Sequence, residues 1–553
     1  MTSTGSSAPW AAAGLVALAL VFYAFPLALD APLTDPDEGL HAAVAQEMTE
    51  RGDWVVPRFL GEPFLDKPIL YFWAEALSLR LLGMSETAVR LPGLLFGLLG
   101  ALTTAWLAGA LAGRRAAVLS GAIYATLLLP LAINQAAVHD VALVPWTNLA
   151  LLGLWRAARR PAVGGAIRQA ALAGVFVGLA MLTKGLVGVA LIGLPFALLL
   201  VLERRLNARM VAAGVTTLAV GVLLAAPWYV AMEAAQPGYL HYFFVERHLL
   251  GFATSTQIHG ARAWWYYLPI VLGGGVPWIL YLPFATRRSL GARWGEGARL
   301  AWVWLVTDVL ILSVARSKLV TYLLPAFPAV AILAALVWMA WIEADDRRAP
   351  APWRTFVVFV HGLLGVALIP VARILAERRF GVDPSAFVLA GGSAILVPAI
   401  LGPSAWRSGA PRRAFVWLVA VMGVMFVTVI GGLFPPIARA LSARDLALYL
   451  NAQETLPPAV WVVDERVGSV VFYLEPSRRR ELTPGRIENV GYGLVLGRLA
   501  SAPADVVVAA GEQEARRLDR SAGEASVPHD RAGRFRVYRV GTLREHLLGR
   551  RGR

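Results

Sequence analysis

The chain has 553 residues, 58% of them hydrophobic and 16% charged, with no cysteine and a formal net charge of +15. A soluble protein averages about 45–50% apolar and about 25% charged, and the runs of about 20 apolar residues that recur here are long enough to cross a hydrocarbon core of about 30 Å, so a soluble enzyme is excluded. The positive balance would suggest nucleic acid in a soluble protein; in a membrane chain it reports topology, no nucleic-acid partner is expected, and the absence of cysteine excludes disulfides and thiolate metal sites.

The first apolar run, residues 10–29, has neither a positive flank nor a small-residue cleavage pattern and reads as a retained span rather than a signal peptide. An amphipathic stretch follows over 30–88, with a helix expected over 37–50. Further apolar runs begin near Val89, Ala116, Val141, Ala170, Gly185, Met210, Trp265, Leu300, Leu319, Thr355, Ala386 and Ala414, for about thirteen spans. Arg-rich connectors at 114–115, 156–168, 204–209, 287–299, 347–354 and 407–413 alternate with connectors that carry acids, histidines and lysines. The positive-inside rule assigns the Arg-rich set and the N-terminus to the cytoplasm. The odd count then puts the long loops 30–88 and 232–264, and the C-terminus, on the outer side.

From about residue 438 the pattern changes to apolar strands expected over 459–463, 470–473 and 506–510, with 491–497 also strand-like. This reads as a soluble domain of roughly 110 residues with its own core, lacking a glycine-rich phosphate loop. The expected fold class is membrane all-α, about 13 transmembrane helices with amphipathic periplasmic loop helices over 1–437, plus a C-terminal soluble α/β domain over 438–553.

Chemistry gathers in the outer connectors. Asp35, Asp37 and Glu38 follow the first span, and Asp37 and His41 would stand one turn apart on a helix. These acids fit either a helix N-terminus, with Asp35 or Asp37 as cap, or a base, metal ligand or hydrogen-bond acceptor. Only three of the 51 basic residues are lysine, Lys67, Lys184 and Lys318, and all three fall in outer connectors. A compact ammonium that donates to phosphate is one reason to keep lysine; anchoring at the headgroups is the other reading. Asp140 lies in the short second outer connector, either capping the next helix or lining a cavity, with His139 as its neighbour. Thr183-Lys184-Gly185 interrupts an apolar stretch as a turn would. Asp308, inside a span, has no assignment.

Four motifs in the first loop are more specific than any single pattern: Asp-Glu-Gly-Leu-His-Ala-Ala-Val-Ala-Gln-Glu-Met over 37–48, Gly-Asp-Trp-Val-Val-Pro-Arg over 52–58, Asp-Lys-Pro-Ile-Leu-Tyr-Phe-Trp over 66–73 and Ala-Val-Arg-Leu-Pro over 88–92. With them the chain resembles, over roughly 10–435, the polyprenyl-phosphate-sugar-dependent glycosyltransferases of the GT-C superfamily. The branch it resembles most is the bacterial lipid A aminoarabinose transferases, related to protein O-mannosyltransferases. Tyr-Phe-Phe-Val-Glu-Arg-His over 242–248 and Arg-Ser-Lys-Leu-Val-Thr-Tyr over 316–322 extend the likeness. A basic residue expected a few positions after His248 is replaced by Leu249, Leu250, Gly251 and Phe252, so Arg247 or Arg262 would supply that charge.

The resemblance implies transfer of 4-amino-4-deoxy-L-arabinose from undecaprenyl phosphate to a lipid A phosphate, by inversion, in a multi-pass protein of the bacterial inner membrane acting as a monomer. Asp37, Asp140 and Glu38 would be catalytic. Lys67, Arg58, Lys318, Tyr322, Arg316, Lys184, Arg247 and Glu246 would bind the donor phosphate and substrate. No cofactor is required; Asp66 with His248 could hold an accessory divalent metal such as zinc. A mannosyltransferase acting on protein hydroxyls, and a lipid-phosphate transporter without catalysis, are the alternative functions.

Overall fold

The computed structural model describes residues 25–134, 136–251, 262–291, 295–343, 374, 377, 411–465, 468–523 and 526–548. Most of the first apolar run and the runs near Thr355 and Ala386 lie outside the described residues.

The loop over 30–88 forms helix α1 (Asp37–Arg51), a hairpin of β1 (Arg58–Phe59) and β2 (Glu62–Pro63), and helix α2 (Leu70–Leu82). α1 places Asp37 and Glu38 in its first turn, where the helix dipole favours them, and ends at Gly52, whose φ of 69° suits a left-handed cap. Neither Asp35 nor Asp37 caps it: Pro36 precedes the first turn and no side chain accepts its free N–H groups.

The bundle continues with α3 (Glu86–Ala112), α4 (Arg114–Ala125), α5 (His139–Arg159), α6 (Val163–Lys184), α7 (Leu186–Leu202), α8 (Ala208–Ala235), α9 (Glu296–Val314) and α10 (Phe327–Glu343). Six helical stretches among the described residues are long and apolar enough to span, or seven if the pair Tyr267–Gly274 and Trp278–Phe284, bent by 103°, is one span. The run from Ala116 is not one helix. The Thr126 hydroxyl turns back to Ala122 O at 2.7 Å and receives the Trp278 indole N–H at 3.0 Å, and Pro130 sits in the short helix Leu128–Ile133 that follows. α5 is central and α8 peripheral: 83% of the apolar window of α5 is buried, against 28% for α8. Within α5, Asn148 donates to the Thr103 and Thr104 hydroxyls of α3 at 3.0 Å each.

After α11 (Pro411–Leu441) and α12 (Arg444–Asn451) comes a five-stranded sheet in the order β4-β3-β5-β7-β6. β3 (Val460–Val463) pairs in parallel with β4 (Ile487–Val490) and β5 (Val507–Ala510), while β7 (Phe535–Arg539) is antiparallel to β5 and β6 (Asp530–Ala532). All residues of β3 and β5 are buried, as continuous apolar runs are when both sheet faces are covered. Two expected strands are helices instead. Residues 470–473 belong to α13 (Gly468–Tyr473), which packs on α1, and 492–497 fall within the helix Tyr492–Arg498, which Gly491 precedes. A short apolar run does not distinguish strand from buried helix, and here the packing against α1 decides. The approach is backbone to backbone: a Cβ on Gly468 would lie 2.2 Å from Leu40 N.

Candidate active site

Six segments converge at one end of the bundle: the first turns of α1, residues 64–68, the start of α5, the α6–α7 junction, the π-helical segment His241–Leu250 and residues 317–322. Glycine is required at the α6–α7 junction. Gly185 has a φ of 63°, and a Cβ there would lie 2.7 Å from His248 Nε2.

Two cavities meet between these segments. The larger, about 370 Å³, runs between Leu186, Leu191 and Leu194 of α7 and Ile311 and Leu312 of α9, and ends at Lys67, Lys184, Arg247 and Tyr322. The smaller, about 50 Å³, is lined by Asp37, His41, Asp66, His139, Asp140 and Thr321. Asp66, Lys67 and Arg247 stand in the walls of both. The combination is a greasy slot whose head is cationic and whose far side is acidic.

The charges are not equally engaged. Lys184 is ion-paired to Asp140, lies 3.8 Å from the Tyr322 ring centroid, and both side chains of the pair are buried. The second Asp140 oxygen accepts the Thr321 hydroxyl at 2.9 Å. Asp66 accepts the Tyr242 hydroxyl at 2.7 Å and meets Arg247 at 3.1 Å. Asp37 and Lys67, by contrast, have no hydrogen-bond or ion-pair partner among the described residues. His41 reaches Ala137 O at 3.0 Å and packs edge-on against His139 with ring centroids 4.6 Å apart. Burial holds the His41 imidazole below the usual histidine value, against the opposing pull of the Asp37 carboxylate.

Several expected site residues have other employment. Glu38 is buried and gives both oxygens to Arg90, at 2.7 and 3.0 Å, and one also to Thr34 N at 2.8 Å. Arg90 further donates to Ala31 O and Pro32 O, so this pair clamps the loop to α3 and engages both Glu38 oxygens. Arg58 lies in the hairpin, donating to Gly61 O at 3.2 Å with Asp53 at 3.8 Å. Lys318 is buried and donates to the carbonyls of Ala315 and Arg262. Arg316 and Glu246 are exposed, the latter 3.3 Å from His241. None of these five is in the walls of the two cavities. Asp308 accepts the Trp304 indole N–H at 2.9 Å within α9.

The proposed metal pair does not fit an ion. Both Asp66 oxygens are taken, and the His248 ring nitrogens face Phe243 O at 2.7 Å and Lys184 O at 3.2 Å. Among the described residues no group of three or more His, Cys, Asp or Glu is placed to hold a metal. The wall of the small cavity includes His41, one turn from Asp37 as its four-residue spacing predicts, and Thr321, to which the sequence assigns no role.

Residues 66–230 match the family model described as dolichyl-phosphate-mannose-protein mannosyltransferase. A protein of Aeromonas hydrophila named undecaprenyl phosphate-alpha-4-amino-4-deoxy-L-arabinose arabinosyl transferase is 35% identical over 361 residues, 65% of this chain and 64% of its own length. The match therefore spans just under two thirds of that relative. A protein of the same name from Pectobacterium carotovorum is 30% identical over 472 residues, 84% of this chain and 83% of the relative. The chain belongs to this arabinosyl transferase family. It is thus a GT-C membrane glycosyltransferase. The crystal structure of ArnT from Cupriavidus metallidurans bound to undecaprenyl phosphate shares the fold, with a TM-score of 0.77, 22% identity, and coverage of 96% of this chain and 98% of that one.

Proposed function

We propose that the chain transfers 4-amino-4-deoxy-L-arabinose from undecaprenyl phosphate to a phosphate of lipid A. The observation that carries this reading is Lys67, a lysine without a partner among the described residues, standing where the apolar slot meets the acidic cavity. A polyprenyl chain suits the α7–α9 slot and its phosphate the cationic head. Lys67, Arg247 and the Tyr322 hydroxyl would then neutralise the phosphate as it leaves. Lys184, already paired with Asp140, holds the wall in place.

The acceptor is itself a phosphate, whose second pKa is about 6, so its attacking oxygen needs no base. That oxygen bonds to the anomeric carbon while the bond to the lipid phosphate breaks and the electron pair leaves with it, inverting the centre. Asp37, unpartnered on the acidic side, binds the ammonium of the aminosugar, with Asp140 as the second acid. The small cavity has room for about two waters at about 30 Å³ each. The Asp66–Arg247 pair stands in the walls of both cavities, between this space and the apolar slot.

The same reading keeps about thirteen spans, a cytoplasmic N-terminus, and a periplasmic site and α/β domain over 438–553 in a monomer of the bacterial inner membrane. Mass spectrometry of lipid A from cells with and without the gene tests it. An added pentosamine that depends on the protein supports the reading; unchanged lipid A with loss of mannosylated proteins would replace it by the protein mannosyltransferase.

A further inference from the structure

The far end of the bundle carries a second cationic hollow. α5 runs from the active-site end to Arg159, about 30 Å away at 1.5 Å per residue. There Arg159 at the end of α5, Arg205 in the connector between α7 and α8, and Arg209 in the first turn of α8 surround a cavity of about 430 Å³ with Glu296 of α9. Glu296 is the sole carboxylate in its walls and is shared, taking Arg159 on one oxygen and Arg205 on the other at 2.5 Å. Arg209 has no carboxylate partner among the described residues. It donates to the carbonyls of Arg160, at 2.5 Å, and Pro161, at 3.1 Å, and its buried Nε has no partner among the described residues.

Arginines that only mark topology extend singly from an apolar surface into water. Here three converge on a hollow with one carboxylate in its walls, Glu203 standing 3.8 Å from Arg205 at its edge, and leucines, a tryptophan and a valine line the neighbouring cavity. A second cavity of about 400 Å³ shares Arg205 and is walled by Leu199, Leu202, Trp302 and Val303; its own acid, Glu203, is taken by Arg299 at 2.8 Å. Leu202, Leu206 and Val211 beside these hollows are more than half exposed. Guanidinium groups match phosphate oxygens in a two-pronged fashion, and basic pockets between spanning helices hold anionic headgroups.

We propose that the Arg159–Arg205–Arg209 hollow binds the phosphate headgroup of an anionic phospholipid, with an acyl chain in the adjoining Arg205–Val303 cavity. This site is separate from the sugar-transfer site. The test uses the full chain in detergent, with phosphatidylglycerol, phosphatidylcholine and inorganic phosphate as separate arms, read by retained lipid in native mass spectrometry and by the unfolding midpoint. Phosphatidylglycerol should be retained and raise the midpoint. Arg205→Gln and Arg209→Gln should each weaken it at least tenfold, while Arg114→Gln, an exposed arginine outside both hollows, leaves it unchanged. Equal retention by wild type and both variants overturns the proposal, as does phosphatidylcholine binding as tightly as phosphatidylglycerol. A midpoint shift by inorganic phosphate equal to that by the lipid also overturns it, since the site would then take a free anion. Should Arg209→Gln not fold, Arg205→Gln, whose side chain is 44% exposed, decides alone.

Discussion

Asp35 and Ser469 join segments 434 residues apart: Asp35 Oδ1 accepts the Ser469 N–H at 3.0 Å and Oδ2 the Ser469 hydroxyl. The contact fastens α13 to the loop ahead of α1, beside Tyr473, whose hydroxyl accepts Leu33 N–H at 2.8 Å and donates to Glu86 at 2.9 Å. The sheet-bearing part of the chain is therefore tied to the same loop that supplies Asp37 and Lys67.

The tie is pH-dependent. Burial raises the Asp35 carboxyl from 3.8 to about 7. The folded chain keeps this proton while the unfolded chain has released it, so Asp35's contribution to stability falls as pH rises from about 4 to about 7 and is level on either side. Comparing unfolding midpoints across that range for wild type and Asp35→Asn should give a shallower decline in the variant. Identical slopes would remove Asp35 from the account.

Glu38 and Arg90 predict a stability effect. Breaking a buried ion pair from one side costs about 3–5 kcal/mol, because the other charge is left unpaired. Glu38→Gln should therefore lower the unfolding midpoint strongly, while the folded fraction retains transfer. Replacing both partners with apolar residues of similar volume should recover much of the loss. A folded Glu38→Gln protein with wild-type stability and no transfer would restore Glu38 to the chemistry.

Asp140 and Lys184 should behave as a unit. Asp140→Asn and Lys184→Met each disturb one ion pair, so the double variant should lose little more transfer than the worse single one. Steady-state rates on the four proteins provide the comparison; full additivity would mean that the two side chains act separately.

Much of this site was legible because its residues cluster in the sequence. The 37–41 and 66–67 motifs lie on one loop, and two of the three rare lysines, Lys67 and Lys184, stand in the walls of the larger cavity. What pairs with what was not legible. Glu38 and Arg90 are 52 residues apart, and Asp140 and Lys184 are 44 apart; nothing local distinguishes a carboxylate that will be clamped from one left open. Lys318 shows the limit of the rare-lysine argument, since its ammonium is spent on backbone carbonyls. Residues 470–473 were misread as a strand because an all-apolar run carries no periodicity, and only docking on α1 made it a helix.

On the proposed function, Lys67 receives the leaving lipid phosphate. Purified wild type and Lys67→Ala should be given undecaprenyl-phosphate aminoarabinose and lipid A, and pentosamine transfer followed by mass spectrometry. Removing one preorganised charge at a leaving group costs about 10²–10³ in rate, so Lys67→Ala should fall by that order, with Lys67→Arg retaining part of the activity and both variants folded. Transfer by folded Lys67→Ala at the wild-type rate would show that Lys67 does not receive the leaving phosphate.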